Sequence, residues 1–538
     1  GTAMDAAQPN FLFIITDQQR ADHLGCYGNR VINTPNVDAI SARGLTFDQF
    51  YVACPICMPN RATLMTGRMP SVNGVMTNGV PLPLQSTTFV ELLRAAGYRT
   101  ALLGKSHLQN MVPSEVEDWN YPPRRSGTLP PPGLDDAYRT RSTGPEYEYE
   151  RSDLWMKDPN RQVSGPYYGF EDISFANLHG DRVQGHYTAW LADRHADPAS
   201  LRGPENALPA DDYVAPQAWR TAMPQELYPT TYVEEMTVQY LDDHVVNAGG
   251  KPFFIQCSFP DPHHPFTPPG KYWGLYDPHD VAAPESLGKD HNDPPPFQKR
   301  LIEELGNGTA LRDHVSAYAL NDREARESIA LTYGMITMVD DAIGRILAKL
   351  ESLGLAENTV VIFTSDHGDL MGDHGLMLKH CFHQEGLLRV PFIWADPDQP
   401  GGARSDLLSG TIDIASTVLA RAGLAPYHGI QGYDVVSTAT AGETLPRLGM
   451  VIEEDELPMN ANCGRFTRTR SFVTGRWRLT YWLEEQFGEL YDRENDPLEL
   501  HNLWNEPAAQ ADRAVLIEMM MRERISLEEM APRATYCA

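Results

Sequence analysis

The run FLFIIT at residues 11–16 is an unbroken apolar stretch that ends directly before Asp17. Such a run, without polar alternation, is typical of a strand that is buried on both faces of a parallel sheet. The runs PFFIQCS at 252–258 and NTVVIFT at 358–364 repeat the pattern, and Asp366 comes two residues after the second of them. Two acidic residues therefore follow buried strands.

Helical patterns separate these strands. Apolar residues recur at three- and four-residue intervals over 323–353, directly before Gly354, which predicts a long helix. Shorter helices are predicted over 34–44 and 87–96, and a further strand over 100–103. Strands that alternate with helices predict an α/β fold with a large, mostly parallel sheet sandwiched by helices. Such sheets bind ligands at the carboxyl ends of their strands, so we expect the two acidic residues to share a site.

The chain is longer than one simple core allows. It has 538 residues, whereas a single hydrophobic core stops growing at about 250–300 residues. We expect a main domain over 1–440 and a smaller C-terminal α+β subdomain over 441–538, with an antiparallel sheet, a hairpin around Gly475 and a terminal helix over 507–530. Segment 110–229, rich in Pro, Tyr, Trp and charge, is expected to be an insertion that folds over a site or makes an oligomer contact.

Composition excludes several classes of partner. Lys and Arg total 44 against 72 Asp and Glu, and the net charge of −28 repels the phosphate backbone of nucleic acids. No apolar run reaches about 18 residues, so we expect no membrane-spanning segment. The first ten residues lack a basic stretch followed by an apolar one, so we expect no signal peptide and a cytoplasmic location. Seven cysteines, an odd number, do not suggest a disulfide framework.

The string CPIC at residues 54–57 has two ordinary interpretations. A redox pair would need a small thioredoxin-like βαβ domain around it, and a zinc site would need a second pair of ligands. The sequence offers neither, and the residues that follow are more informative. Cys57 begins the string C-M-P-N-R, which ends at Arg61 and is followed by T-G-R at 66–68.

This string resembles the signature of the type I, formylglycine-dependent sulfatases of the alkaline phosphatase superfamily, close to arylsulfatases and phosphonate monoester hydrolases. Their signature is C-x-P-x-R followed by a T-G-R segment. The resemblance spans residues 10–507 and is weakest over 110–229. Further segments match the family in the same order: Asp17-Gln18, Gly97-Tyr98-Arg99-Thr100, Gly104-Lys105-Ser106-His107-Leu108, Pro262-His263-His264-Pro265, Asp366-His367-Gly368, Lys379, Glu489-Leu490-Tyr491-Asp492, Asp496-Pro497 and Asn502-Leu503.

The resemblance implies a nucleophile that is made from Cys57. A formylglycine-generating enzyme would oxidise the cysteine to formylglycine, whose hydrate attacks the sulfur of a sulfate ester and later releases sulfate. The resemblance also implies that Lys105 and Lys379 clamp the sulfate. His107 would assist as a base, and His263 would donate a proton to the leaving oxygen while binding the substrate.

Three further residues are placed by local pattern. Arg61 lies four residues after Cys57, so both project from the first turn of one helix if Pro59 opens it, where the helix dipole favours an anion. Spacing alone leaves a surface arginine as the alternative. Asn78, in T-N-G, is expected to be a turn residue that also contacts the substrate. His264 is interpreted as a loop histidine.

One divalent metal ion is expected at the strand ends. Asp17 and Asp366 offer hard oxygen ligands, Gln18 a side-chain oxygen and His367 a nitrogen. By resemblance, the modified residue at position 57 completes the set. Gln18 and His367 stand where many sulfatases have Asp and Asn, and this donor set favours manganese over calcium, although either ion fits. A capped turn without metal is the alternative for Asp366.

By resemblance the chain is expected to be a sulfuric ester hydrolase of the arylsulfatase type. The alternative is a phosphonate monoester or phosphate diester hydrolase with the same nucleophile, since such enzymes share Gln18 and His367. The Lys105-x-His107 pair favours the sulfatase. Two other classes stay open: an idle binding module, and a phosphate-transfer enzyme, which would need Ser or Thr at position 57. The expected partners are a small anionic ester, a formylglycine-generating enzyme and further copies of the chain in a dimer or tetramer.

Overall fold

The structure is a computed structural model that describes residues 8–117, 121, 126–140, 142–461, 465–483 and 486–538. The strands in these residues are β1 (Asn10–Thr16), β2 (Leu45–Phe47), β3 (Phe50–Tyr51), β4 (Arg99–Gly104), β5 (Asp172–Asn177), β6 (Gln184–Gly185), β7 (Phe253–Ser258), β8 (Tyr318–Ala319), β9 (Thr359–Ser365), β10 (Leu376–Met377), β11 (Phe392–Ala395), β12 (Ala403–Ser405), β13 (Ser409–Gly410), β14 (Met450–Glu456), β15 (Thr467–Val473), β16 (Trp477–Trp482) and β17 (Phe487–Asp492). The helices are α1 (Pro35–Ala42), α2 (Cys57–Thr66), α3 (Pro70–Asn73), α4 (Phe89–Ala95), α5 (Asp135–Tyr138), α6 (Ser152–Lys157), α7 (His186–Arg194), α8 (Pro229–Asn247), α9 (Pro296–Gly306), α10 (Asp322–Ser352), α11 (Glu385–Leu388), α12 (Ile414–Arg421), α13 (Val435–Thr440), α14 (Pro458–Ala461) and α15 (Gln510–Ser526).

A nine-stranded sheet forms the centre of the fold, in the order β12-β2-β11-β9-β1-β7-β4-β5-β6. β1 is parallel to its neighbours β7 and β9, and β4 is parallel to β7 and β5. β11 runs antiparallel to β9 and β2, and β6 runs antiparallel to β5. The prediction of a large, mostly parallel sheet sandwiched by helices is confirmed.

The central strand is buried on both faces, which explains its unbroken apolar sequence. Phe11, Phe13 and Ile15 belong to the core on one face of the sheet, and Leu12 and Ile14 belong to the core on the other. α2, α4 and α12 contribute to the first core, and α8 and α10 contribute to the second. No helix in the part of the chain that the structure describes is both long and apolar enough to cross a membrane.

The segment predicted to be an insertion extends the sheet. β5 and β6 lie within it and add two strands beyond β4. Its aromatic residues also enter both cores: Trp155 and Phe175 lie in the first, and Tyr187 and Trp190 lie in the second. The sequence pattern missed β5 because only the last three of its residues are buried, so its apolar run is too short to recognise.

The C-terminal part consists of the four-stranded antiparallel sheet β14-β15-β16-β17 and the helix α15. β15 and β16 form the hairpin predicted around Gly475. The terminal helix is shorter than predicted, because Pro507–Ala509 forms a 3-10 turn before α15 begins. Ile452 and Leu479 of this sheet join the first core, so the C-terminal part and the main sheet share one hydrophobic core. The domain division at residue 440 stays a prediction.

Gly104 ends β4 opposite Ser258 of β7, and its replacement tests the packing of these strands. Its φ is +124°, and a Cβ would lie 1.8 Å from the carbonyl oxygen of Ser258. We expect Gly104→Ala to lower the free energy of unfolding by about 3 kcal/mol or more, because the backbone itself must move. Urea unfolding followed by circular dichroism measures this loss.

Gly97→Ala is the matched control for this prediction. Gly97 also has a positive φ, +100°, but nothing lies within 4 Å of its Cβ position. This variant should lose only about 1 kcal/mol from backbone strain. Equal unfolding midpoints for the two variants would contradict the close approach of β4 and β7.

Candidate active site

Five neighbouring strands of the main sheet, β9-β1-β7-β4-β5, deliver polar side chains to one edge. Each of these side chains comes directly after the carboxyl end of its strand or in the loop that follows it. Because the strands are parallel, their carboxyl ends meet, as the sequence predicted for two of them. The side chains are Asp366 and His367 after β9, Asp17 and Gln18 after β1, His263 after β7, Lys105 and His107 after β4, and His179 after β5.

Cys57 is the first residue of α2 and faces this edge of the sheet. Its residue is 2% exposed, and its Sγ lies 3.6 Å from Asn78 Nδ2 and 3.9 Å from Lys379 Nζ. Asn78 Oδ1 accepts the backbone N–H of Met58 at 3.1 Å, so Asn78 is held at the start of the helix. The structure therefore brings Asn78, which the sequence placed in a turn, against the predicted nucleophile position.

The surroundings of residue 57 favour a negative charge. Burial raises the pKa of the Cys57 thiol, but the side chains of His107, Lys379 and Lys105 lower it by more. The pKa therefore lies well below its ordinary value. The N-terminus of α2 adds the positive end of the helix dipole. An anionic group bound at this position would be stabilised in the same way.

Arg61 is buried beside Cys57 and is not a surface arginine. Its Nε donates to Asp366 Oδ2 at 3.0 Å, and its Nη1 lies 3.3 Å from both the backbone oxygen of Lys105 and Ser258 Oγ. Two residues of the C-M-P-N-R string tie α2 to the end of β9, since Asn60 also donates to the backbone oxygen of Asp366. The position of Cys57 is thus fixed relative to the strand ends.

Asp17 and Gln18 present oxygen atoms that fit a metal ion. Asp17 Oδ1 and Gln18 Oε1 are buried and have no hydrogen-bond partner among the described residues. The orientation of the Gln18 amide is fixed, because its Nε2 donates to Asp369 Oδ2 at 2.7 Å and lies 3.1 Å from His264 Nδ1. The Gln18 Oε1 atom is therefore the amide atom that could coordinate a cation.

Asp366 and His367 complete the donor set. His367 Nδ1 donates to the backbone oxygen of Gly368 at 2.8 Å, which leaves the lone pair on Nε2. That nitrogen lies 3.8 Å from Asp17 Oδ1 and 3.6 Å from Asp366 Oδ2, and ligand atoms of the three residues all lie within 4.8 Å of one another. Two carboxylates, an amide oxygen and an imidazole nitrogen fit one divalent cation.

The predicted pair Lys105 and His107 reaches the site by a bend. β4 ends at Gly104 and His107 has a φ of +54°, so the two residues do not continue the strand. Lys105 Nζ contacts Asp17 Oδ2, and this pairing, together with His263 and His179, holds the pKa of Asp17 well below its usual range although burial raises it.

The loop that carries His107 is held by Glu150, a buried residue of the insertion. Its carboxylate accepts the backbone N–H groups of residues 107–109 at 2.7, 3.2 and 3.1 Å. It also accepts the hydroxyl of Tyr167 at 2.6 Å. No sequence pattern indicated this contact, since a single glutamate in a polar segment has no distinguishing pattern.

His179 is a second residue of the insertion that the sequence interpretation missed. Its Nε2 lies 2.8 Å from Lys105 Nζ, and its ring stacks on that of His263. The available signal was the string N-L-H-G-D at 177–181, which follows β5 as D-Q follows β1. The string could be read as a site only once β5 was recognised as a strand.

His263 and His264 share the loop after β7. His263 Nδ1 donates to the backbone oxygen of His264, so its Nε2 carries the lone pair. Burial and the neighbouring rings of His179 and His264 hold the pKa of His263 well below its ordinary value. His264 lies in the loop, as interpreted from sequence, and it also contacts the Gln18 amide, so it supports a candidate metal ligand.

Metal content tests the donor set. We expect Asp366→Asn, which keeps the shape of the side chain but removes its charge, to weaken divalent-metal binding by about tenfold to a hundredfold. Elemental analysis after dialysis measures the bound metal. Asp373→Asn makes the same change seven residues further on, where the carboxylate pairs with Arg20 at 2.6 Å, and it should keep its metal. Undiminished metal in Asp366→Asn would remove this residue from the site.

Comparisons with known proteins agree over nearly the whole chain. The arylsulfatase of Clostridium perfringens (strain 13 / Type A) is 26% identical over 97% of this chain and 95% of its own length. The multifunctional alkaline phosphatase superfamily protein PehA of Trinickia caryophylli is 29% identical over 76% of this chain and 73% of its own length. The crystal structure of the phosphonate monoester hydrolase of Agrobacterium radiobacter has a TM-score of 0.73 at 25% identity, and the match covers 97% of this chain and 96% of that one.

Family profiles cover the site and the C-terminal part. The family described as N-sulphoglucosamine sulphohydrolase, C-terminal, matches residues 372–526. The Sulfatase family matches residues 9–424, a range that contains every candidate site residue named above. Sulfatases typically use a metal ion and a formylglycine, and the donor set described here is a candidate for the first. The chain belongs to the sulfatase family of the alkaline phosphatase superfamily, and its activity is the hydrolysis of sulfate esters.

Proposed function

We propose that the protein is an arylsulfatase that hydrolyses sulfate monoesters with a formylglycine made from Cys57 and one divalent metal ion. The observation that carries the proposal is the position of residue 57. It starts a helix at the edge of the sheet, between Asn78 and Lys379, and Lys379 Nζ also lies 3.1 Å from Nε2 of the candidate metal ligand His367. A nucleophile, an anion site and a candidate metal site therefore share one small volume.

The charge of the site suits an ester with one negative charge. Arg61, Lys105 and Lys379 are buried and positive, and Asp17 and Asp366 are buried and negative. A divalent ion adds two positive charges, and preorganised positive charge stabilises the charge that develops on the ester oxygens in the transition state. The bulk of the protein, at −28, would repel such an ester, so binding depends on this local arrangement.

Asp17, Gln18, Asp366 and His367 would hold the metal ion, together with the modified residue at position 57. The imidazole and the amide in this set favour manganese, and calcium remains compatible with the oxygen ligands. When bound, the ion would act as a Lewis acid at this place. A formylglycine would supply an oxygen nucleophile in its hydrated form. Cys57 is the residue that the formylglycine-generating enzyme would modify.

Protein side chains supply the remaining parts of the reaction. Lys105 and Lys379 hold the anion, and Asn78 lies where it can contact the ester near residue 57. His107 takes up a proton beside residue 57, and His263 Nε2 gives a proton to the leaving oxygen. The low pKa of His263 in the free site is opposed by an anionic ester bound beside it, which favours the protonated ring.

Hydrolysis of phosphonate monoesters or phosphate diesters is the second candidate function. These esters also carry one negative charge, so the same pocket can bind them, and discrimination falls to the transition state. The observations that favour this candidate are the donors Gln18 and His367 and the similarity to the phosphonate monoester hydrolase of Agrobacterium radiobacter. The buried Lys105, beside His107, favours sulfate.

A series of leaving groups tests the proposal. We expect wild-type enzyme to hydrolyse aryl sulfates with higher kcat/KM than the matching phosphonate monoesters. His263→Ala should lower kcat/KM by about a hundredfold or more for esters of weakly acidic phenols. For nitrophenyl sulfate the loss should be less than about tenfold, because a good leaving group needs little protonation.

His264→Phe is the neighbouring control. It keeps a ring against His263 and lies outside the proposed acid role, while it loses the contact with Gln18, so any loss should be the same for every leaving group. A uniform loss in His263→Ala would remove His263 from the acid role. A wild-type preference for phosphonates across the series would make the second candidate the function.

A further inference from the structure

His179 contacts both Lys105 and His263, to which the proposed function gives different roles. Its Nε2 lies 2.8 Å from Lys105 Nζ and 3.2 Å from Asp17 Oδ2. Its ring lies face to face with His263, with centroids 3.3 Å apart and planes within 8° of parallel. One side chain therefore contacts both the cation that holds the anion and the imidazole that serves the leaving group.

The contact with Lys105 fixes the direction of the ammonium group. An ammonium has only donors, so Lys105 donates and His179 Nε2 accepts, which puts the proton of the neutral ring on Nδ1. With two N–H groups engaged by Asp17 and His179, the third N–H of Lys105 is the one left for an ester oxygen.

The contact with His263 fixes the plane of that ring. His264 lies 4.0 Å from His263, and the centroids of His179 and His264 are 6.4 Å apart, which places them on opposite faces of the His263 ring. The hydrogen bond from His263 Nδ1 to the backbone oxygen of His264 fixes one edge of the His263 ring. Rotation of His263 is therefore blocked, and its Nε2 meets the leaving oxygen from one direction.

The backbone holds His179 in this place. Gly180 has a φ of +58°, and a Cβ there would lie 2.9 Å from both Pro265 Cγ and Thr267 Oγ1. The loop after β5 therefore packs closely on the loop after β7. Because β5 and β7 flank β4 in the sheet, the loops that carry His179 and His263 come from either side of the strand that precedes Lys105.

We propose that His179 is a positioning residue that aligns Lys105 for anion binding and His263 for proton donation. It acts on the first by accepting a hydrogen bond and on the second by stacking. The two effects are separable, because one needs an acceptor atom and the other needs a flat ring. The inference rests on the arylsulfatase function proposed above.

Three variants separate the effects. His179→Gln keeps an acceptor for Lys105 and loses the ring, His179→Phe keeps the ring and loses the acceptor, and His179→Ala loses both. The measurements are kcat and KM for nitrophenyl sulfate and for sulfates of weakly acidic phenols. Calorimetric binding of inorganic sulfate is a readout that does not depend on turnover. His195→Gln, a half-buried histidine of the same insertion, is the control and should match wild type.

His179→Phe should bind inorganic sulfate about tenfold more weakly and raise KM by a similar factor, because one hydrogen bond to a charged group is lost. The dependence of kcat/KM on the leaving group should be the same in His179→Phe as in the wild-type protein. His179→Gln should keep sulfate affinity within about threefold. It should lose about tenfold more in kcat/KM for weakly acidic phenols than for nitrophenyl sulfate. His179→Ala should show both defects.

Two results would overturn the inference. One is wild-type behaviour in all three variants. The other is the same loss on every substrate in all three with unchanged sulfate binding, which would indicate packing alone; thermal melting checks that the variants are folded. Failure of the proposed function is distinguishable, because the wild-type protein would then fail to hydrolyse any sulfate ester, while sulfate binding by the variants would still report on Lys105.

Discussion

The buried ion pair between Arg61 and Asp366 is the contact on which the arrangement of the site depends. Arg61 is 2% exposed and Asp366 is fully buried, and their closest atoms are 3.0 Å apart. Removal of one partner from a buried pair typically costs about 3–5 kcal/mol, because the other charge is left without compensation. The pair therefore keeps the helix that starts with Cys57 packed against the end of the strand that precedes Asp366. The nucleophile position follows from that packing.

The Asp366 carboxylate of this pair also holds the backbone of the neighbouring candidate metal ligands. With Asp366 Oδ2 taken by Arg61, its Oδ1 accepts the backbone N–H groups of Gln18 and His367. Three candidate metal ligands, Gln18, Asp366 and His367, are thus held together by the hydrogen bonds of one carboxylate. The parallel sheet supplies the rest, since the ends of β1, β7, β4 and β5 bring Asp17, His263, Lys105 and His179 to the same edge. The metal donors and the anion site are therefore parts of one network of contacts.

Sequence patterns predicted the features that depend on local chemistry. The apolar runs of β1, β7 and β9 gave the sheet, and the C-M-P-N-R string gave the position of Cys57 and Arg61. Features that depend on distant packing were not predictable. Glu150 lies in a segment without periodicity and acts through backbone N–H groups 41 to 43 residues away. The three hydrogen bonds to Glu150 also hold the loop of His107 in a bend, where His107 has a φ of +54°.

The central claim is that residue 57 acts as a formylglycine, and mass spectrometry of the peptide that contains it tests this most directly. The protein would be produced together with a formylglycine-generating enzyme, and the peptide mass would be compared with the specific activity of the same preparation. The expected result is an aldehyde at position 57, with sulfatase activity proportional to the modified fraction. Full activity in a preparation whose Cys57 is entirely an unmodified thiol would contradict the claim.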